Sequence, residues 1–101
     1  MNLAALSQEE LLARCAWCHR HIPKDQECFG SGLRVRPERR AEIIAYRGRA
    51  VPLQLATGRE IIVMVVPPDS QAGAAGDDLY VQICSEKCGQ EIDRAVRDEI
   101  T

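Results

Sequence analysis

Hydrophobic residues near the end of the chain are spaced three or four apart, which is the period of a helix packed on one side, and near its start Leu6 and Leu11 stand where a hydrophobic staple would place them. The first segment opens with Ser7-Gln8-Glu9-Glu10, a capping box, and predicts a short helix over about residues 8–14. The last segment opens at Ser85 and repeats its less polar residues on one helical face. These residues are Cys88, Ile92, Ala95, Val96 and Ile100. We therefore expect a helix at each end of the chain.

The middle of the chain follows the patterns of β-strands. Residues 43–46 form one candidate strand. Residues 51–55 alternate in a way typical of a strand with one buried face, and Pro52 favours an edge position. Residues 61–66 are a continuous apolar run rich in β-branched side chains, which predicts a strand covered on both faces. Residues 80–84 predict a last short strand.

Glycine and proline separate these helical and strand-like segments, which together predict one α+β domain. Gly30-Ser31-Gly32 and Ala56-Thr57-Gly58-Arg59 indicate turns, and residues 67–78 are typical of a surface loop. The length of 101 residues allows one domain, 1–101, with a modest core. Only four of its residues are aromatic, so we expect an aliphatic core.

The segment Cys15-Ala-Trp-Cys18-His19 is the most informative stretch for function. It matches the haem-attachment pattern of c-type cytochromes, and Cys15-x-x-Cys18 alone also fits a thiol–disulfide redox centre or half of a zinc site. Haem c is attached outside the cytosol, and the N-terminal segment does not have the pattern of a signal peptide. A redox motif of the thioredoxin type follows a strand, whereas here a helix is expected to precede it. Zinc is the interpretation that we favour.

A second cysteine pair supports zinc. Cys84-Ser-Glu-Lys-Cys88 places one thiol at the end of a strand and the other in the first turn of a helix, where the helix dipole favours thiolates. No segment is long and apolar enough to cross a membrane. Five cysteines in a chain expected to be cytoplasmic more often hold metal than form disulfides. We therefore predict one Zn²⁺ per chain, held by Cys15, Cys18, Cys84 and Cys88 in a closed structural site.

This layout resembles the treble-clef zinc fingers, and its closing half, strand-CSxxC-helix, is similar to the TRASH and MYM-type fingers. The resemblance covers residues 15–23 and 79–97. It implies a treble-clef-like finger made of a knuckle over 15–23 and a strand and helix over 79–100, with a β-rich insertion at about 33–66 and the loop 67–78 between them. Members of these groups are linked to heavy-metal sensing or handling and to protein or DNA contacts.

Three further residues are candidates for supporting roles. His19 and His21 are interpreted as partly exposed knuckle residues, with a hydrogen bond to a ligating sulfur or a direct bond to the metal as the alternative. Cys28 is interpreted as a lone buried cysteine, with an alternative ligand or a reactive thiol as the second interpretation. Because no oxyanion site or orienting third group accompanies these residues, we do not expect an enzyme.

Charge is distributed unevenly along the chain. Residues 34–76 contain seven arginines and four acids, whereas residues 77–101 contain seven acids and three bases. Six of the arginines form a candidate anion or nucleic-acid contact: Arg34, Arg36, Arg39, Arg40, Arg47 and Arg49. We favour a solvated face or a contact with an acidic protein neighbour, such as another copy of the chain. The predicted function is protein interaction or regulation, with nucleic-acid binding and metal sensing or transport as alternatives.

Overall fold

A four-stranded antiparallel sheet forms the centre of the molecule, which the computed structural model describes over residues 3–67 and 69–97. The strand order is β1-β4-β3-β2, so β1 and β2 are the two edges. The strands are β1 (Phe29–Leu33), β2 (Ala50–Gln54), β3 (Glu60–Val65) and β4 (Leu79–Ile83). Helices accompany this sheet, and the predicted α+β class is confirmed.

Within residues 3–67 and 69–97, four α-helices and two short 3₁₀ turns connect and flank the strands. The α-helices are α1 (Gln8–Leu12), α2 (Pro37–Ile43), α3 (Gln71–Ala74) and α4 (Glu86–Val96). The 3₁₀ turns are Leu3–Ala5 and Ile44–Tyr46. None of the helices in the described part of the chain has the length and apolarity that crossing a bilayer requires.

Both terminal helices begin where the sequence predicts. The Ser7 side chain accepts a hydrogen bond from the Glu10 N–H at 3.2 Å, and the Ser85 side chain accepts one from the Cys88 N–H at 3.3 Å. Helix α1 ends at Leu12, two residues before the predicted end. The predicted inner face of α4 is confirmed at Ile92 and Val96, which are buried, whereas the predicted position Ile100 lies outside the described residues.

The predicted turn at Gly30-Ser31-Gly32 is wrong, because these residues form the middle of β1. The glycines serve close packing instead of chain reversal. A Cβ atom at Gly30 would overlap the Tyr80 ring, and one at Gly32 would overlap the Asp77 carboxylate. A strand with glycines at these positions lets side chains from β4 and the preceding loop lie across it.

The predicted strand over residues 43–46 is also wrong. Pro37 occupies the first turn of α2, where its missing N–H costs nothing, and the helix continues into the 3₁₀ turn Ile44–Tyr46. Ile43 is buried, whereas Ile44 and Tyr46 are 50% and 44% exposed. The predicted β-rich insertion at 33–66 therefore contains a helical segment, and the predicted loop 67–78 contains the short helix α3.

The predictions for β2 and β3 are confirmed. Pro52 lies in the edge strand β2, and β3 is buried along most of its length, with Ile61, Ile62 and Val63 at 5% exposure or less. The turn between them uses Gly58 at a positive φ of 91°. The core is aliphatic, as expected from the few aromatic residues, since Phe29, Tyr46 and Tyr80 are each more than 40% exposed.

Gln8 closes part of the β2 edge. Its side-chain Nε2 donates to the Ala50 carbonyl at 2.7 Å, and its Oε1 accepts from the Ala50 N–H at 2.7 Å. The amide thus pairs with the backbone of Ala50 as a neighbouring strand would. Because Ala50 is 2% exposed, water has little access to these two backbone groups.

Replacement of Gln8 by alanine should destabilise the protein by about 1–3 kcal/mol, because it leaves a buried N–H and a buried C=O without partners. Urea unfolding followed by circular dichroism measures the change. Glu9→Ala on the exposed side of the same helix is the matched control and should have little effect. Equal stability of the two variants would show that the Gln8 contacts contribute nothing.

Candidate metal centre

The knuckle that contains Cys15 and Cys18 is inserted between two strands of the sheet. Strands β3 and β4 pair directly at one end, where Met64 faces Tyr80. Farther along, Ala16 lies between the strands, since its N–H donates to the Gln82 carbonyl of β4 at 2.7 Å and its carbonyl accepts from the Ile62 N–H of β3 at 3.1 Å. Ala16 is 1% exposed. The insertion therefore fixes the position of the first cysteine pair relative to β4.

Backbone hydrogen bonds shape the knuckle itself. The Cys15 N–H donates to the Arg20 carbonyl at 2.9 Å, and the His19 N–H donates to the Cys15 carbonyl at 3.0 Å. His19 has a positive φ of 66°, a conformation that is uncommon for residues other than glycine. Its ring Nε2 is hydrogen-bonded to the Glu60 carbonyl at 2.8 Å, which holds the tight turn against the start of β3.

The second cysteine pair comes from the junction of β4 and α4. Strand β4 ends at Ile83, and Ser85 caps α4, so Cys84 lies at the junction and Cys88 lies in the first helical turn. This is the placement that the sequence predicts. The cap fixes the first turn of the helix, and with it the direction of the Cys88 thiol.

The four sulfur atoms meet at one place. The Sγ atoms of Cys15, Cys18, Cys84 and Cys88 all lie within 4.8 Å of one another. The Cys18–Cys84 and Cys84–Cys88 sulfur separations are 3.6 and 3.8 Å. Four sulfurs at a zinc–sulfur distance of about 2.3 Å in a tetrahedron are roughly 3.8 Å apart. The cluster therefore has the composition and size of a four-cysteine metal site.

The protein environment shifts the pKa values of three of these thiols in different directions. Burial raises the pKa of Cys15, but hydrogen bonds from the backbone of Cys18, Cys84 and Trp17 outweigh this effect and lower the pKa to about 7. Burial and the neighbouring thiols of Cys18, Cys15 and Cys88 raise the pKa of Cys84 to about 12. The pKa of Cys88 is also raised, mainly by burial. Of these three thiols, Cys15 therefore loses its proton most readily, and a bound cation would have to displace the protons of Cys84 and Cys88.

Trp17, within the Cys-x-x-Cys segment, joins the knuckle to two other elements. The Arg59 guanidinium carbon lies 3.7 Å from the centroid of the Trp17 ring, and Arg59 Nη2 donates to the Trp17 carbonyl at 2.6 Å. The Trp17 indole N–H donates to the Glu91 carboxylate of α4. The sequence analysis missed this arrangement, because nothing in the pattern links the β2–β3 turn with the final helix.

The candidate supporting residues lie outside the sulfur cluster. His19 is used in the contact with Glu60, and His21 and Cys28 line a surface groove of about 500 Å³. The interpretation of Cys28 as a buried cysteine is wrong, because it is exposed and follows the turn that leads into β1. Among the described residues, no histidine, carboxylate or further cysteine joins the group of four.

The arginines of the predicted anion strip are distributed over helix α2, the connection between β1 and α2, and the turn before β2. Arg40 forms an ion pair with Asp78 at 3.3 Å, and Arg34 donates to the Ala75 carbonyl at 3.2 Å. Arg39 forms an ion pair with Glu42 at 3.1 Å. Arg36 precedes α2, and Arg47 and Arg49 follow the 3₁₀ turn. Nucleic-acid binding through this strip stays a prediction.

No protein-family model matches this chain, and comparisons with curated proteins and with solved structures find no match. The interpretation of the site therefore rests on its own geometry and on the chemistry of its donor atoms.

Metal binding to the cluster should weaken as the pH falls, and more steeply below about pH 7. A metal must displace the protons of Cys84 and Cys88 throughout the neutral range, because their pKa values are raised. Below about pH 7 it must also displace the proton of Cys15. Competition with a chromophoric chelator between about pH 5 and 8, corrected for the chelator's own protonation, measures this dependence. An affinity independent of pH would contradict thiolate ligation.

Proposed function

We propose that this chain is a small zinc-binding protein in which one structural Zn²⁺ holds together the N-terminal knuckle and the C-terminal helix, and that it acts as an interaction or regulatory module. The observation that carries the proposal is the convergence of four sulfur atoms within 4.8 Å of one another. They come from two segments separated by 65 residues of sequence between Cys18 and Cys84.

The nature of the donor set favours zinc. Thiolates are soft ligands, and a tetrahedral set of four sulfurs is typical of zinc or of iron–sulfur centres. Four protein ligands complete the coordination of zinc and leave no position for a reacting water, which is the arrangement of structural sites. A binding role therefore fits the site better than a catalytic one.

The order of elements supports a treble-clef-like architecture. A knuckle is followed by the antiparallel pair β1 and β4 and then by α4, whose first turn supplies Cys88. The long insertion, residues 34–78, lies between the two strands of that pair and contributes β2, β3 and the two inner helices. In this interpretation the insertion broadens a two-strand finger into a four-stranded sheet with its own aliphatic core.

A permanent metal is favoured over a transported one by the burial of the knuckle. Cys15 and its neighbour Ala16 are at most 1% exposed, and Ala16 is hydrogen-bonded to both central strands. Loss of the metal would leave the buried Cys15 thiol and the three thiols around it without their shared cation. Structural zinc in small domains contributes on the order of 10 kcal/mol to folding, so the metal and the fold are expected to be lost together.

Purified protein should contain one zinc per chain, and Cys18→Ser should lower the affinity for zinc by at least about 100-fold, because it removes one of four thiolates. Cys28→Ser is the matched control, since both cysteines are exposed and only Cys18 belongs to the cluster. Elemental analysis and chelator competition measure content and affinity. Equal affinity for zinc in the two variants would refute the proposed ligand set.

Chelation should unfold the protein if the metal is structural. Far-ultraviolet circular dichroism and Trp17 fluorescence, recorded during titration with a chelator, follow the fold and the knuckle separately. Loss of metal with an unchanged fold would instead indicate a metal carrier. Iron in place of zinc would give a coloured protein and would refute the assignment of zinc.

A further inference from the structure

The two edges of the sheet differ in their protection against pairing with another strand. Edge strand β2 contains Pro52, which has no N–H to donate, and Gln8 covers the backbone of Ala50. Edge strand β1 has the sequence Phe-Gly-Ser-Gly-Leu, without proline or charge, and four of its five residues are exposed. Proline and charged side chains are the usual devices that block an edge. Strand β1 has neither.

The unpaired backbone groups of β1 belong to its two glycines. Gly30 faces Gln82 of β4, and the Gln82 carbonyl is used by Ala16 on the opposite side of β4. Residues facing each other in an antiparallel pair either both bond across it or both point away. The N–H and C=O of Gly30 therefore point away from β4, and those of Gly32, two residues on, do the same. No described residue is hydrogen-bonded to them on this side.

The sequence of β1 is nearly symmetric about Ser31. When a second copy pairs with it in antiparallel orientation about a two-fold axis at this residue, Gly30 faces the partner's Gly32 and Phe29 faces the partner's Leu33. The glycine pairs then exchange two hydrogen bonds each, and neither glycine has a side chain of its own to hinder the approach of the backbones. We propose that β1 is a self-association surface, through which two copies of this chain form one continuous eight-stranded sheet.

The side chains support this pairing. Phe29, Ser31 and Leu33 face Ile83, Val81 and Leu79, the buried residues of β4, so they lie on the core side of the sheet. Phe29 is nevertheless 47% exposed, and it lies in an edge strand of the sheet. The proposed register keeps all three residues on the same side in both copies. Each Phe29 ring thereby gains an apolar cross-strand neighbour, Leu33 of the partner copy.

Charges at the ends of β1 are complementary in the same arrangement. Glu27 precedes the strand by two residues, and Arg34 follows it directly. Antiparallel pairing brings the Glu27 end of each β1 strand beside the Arg34 end of the partner strand. The two-fold axis repeats this contact, so the dimer contains it twice. A two-fold interface is self-complementary in this way by necessity.

The proposed interface is small. Two five-residue strands bury far less than the roughly 1,600 Å² of a standard stable interface. We therefore expect a dimer that dissociates on dilution. This inference specifies the surface for the proposed interaction role and rests on that role, but it does not require a particular metal.

Ser31→Lys tests the surface directly. In the dimer this substitution places two lysines opposite each other at the two-fold axis, where like charges repel. In the monomer position 31 is exposed, so the lysine side chain can extend into solvent. Sedimentation velocity of the zinc-loaded protein between about 5 and 500 µM should show a concentration-dependent dimer, and the variant should raise its dissociation constant at least about 10-fold. Thr57→Lys, in the exposed β2–β3 turn, is the matched control and should leave it unchanged.

Cross-linking tests the register. In a Cys28→Ser background, Ser31→Cys should form a covalent dimer in the presence of oxidised glutathione, because the two cysteines face each other at a pair whose Cα atoms are about 4.5 Å apart. For each interchain disulfide, the two thiols introduced at position 31 together lose two protons and two electrons. These reduce one molecule of oxidised glutathione to two molecules of reduced glutathione. Thr57→Cys in the same background should cross-link at least about 10-fold more slowly.

A protein that stays monomeric at 500 µM would overturn the proposal. A dimer that Ser31→Lys does not weaken would overturn it too, because the contact would lie elsewhere. Zinc content and circular dichroism of each variant separate these outcomes from failure of the metal site, since a folded, zinc-loaded monomer refutes only the β1 interface.

Discussion

The insertion of Ala16 between β3 and β4 is the contact on which the rest of the structure depends. Two hydrogen bonds, one to each strand, join the N-terminal segment to the middle of the sheet. Without them Cys15 and Cys18 would have no fixed position relative to β4, which leads directly to Cys84 and Cys88. A metal at the four sulfurs would reinforce the same connection, because it would link the same knuckle to the same strand end and helix.

The local features of the chain could be predicted from sequence because they depend on neighbouring residues. Serine caps start α1 and α4, and the apolar run of β3 indicates a strand covered on both faces. The division of the ligands into two local pairs, one in the knuckle and one at the strand–helix junction, could be predicted as well, since the spacing of cysteines and a strand–helix junction are local signals. The convergence of the four sulfurs depends on contacts between distant parts of the chain. The sequence predicted it only because four cysteine thiolates can share one metal ion.

The errors in the sequence predictions have different physical origins. Gly30 and Gly32 are typical of a turn when they are considered alone, and only the Tyr80 ring and the Asp77 carboxylate lying against them explain a strand there. Ile43, Ile44 and Tyr46 are as common in strands as in a helix that begins at Pro37. Cys28 seemed suited to the interior, but its exposure is set by the turn before β1. For the glycines the deciding contacts come from a distant part of the chain, whereas the helix from Pro37 and the exposure of Cys28 depend on neighbouring residues that the hydrophobic pattern does not reveal.

A sheet of four short strands has to satisfy backbone groups at two edges and at any gap between strands. This chain uses a different residue for each place: Ala16 fills the gap between β3 and β4, and the Gln8 amide covers part of β2. Both solutions come from the N-terminal segment, and both consist of paired donor and acceptor contacts. The glycines of β1 present the same kind of donor and acceptor pair. The chain satisfies two such sets of backbone donors and acceptors with its own residues, whereas no described residue is bonded to the outward groups of the β1 glycines. The β1 edge therefore has the chemistry of a binding edge.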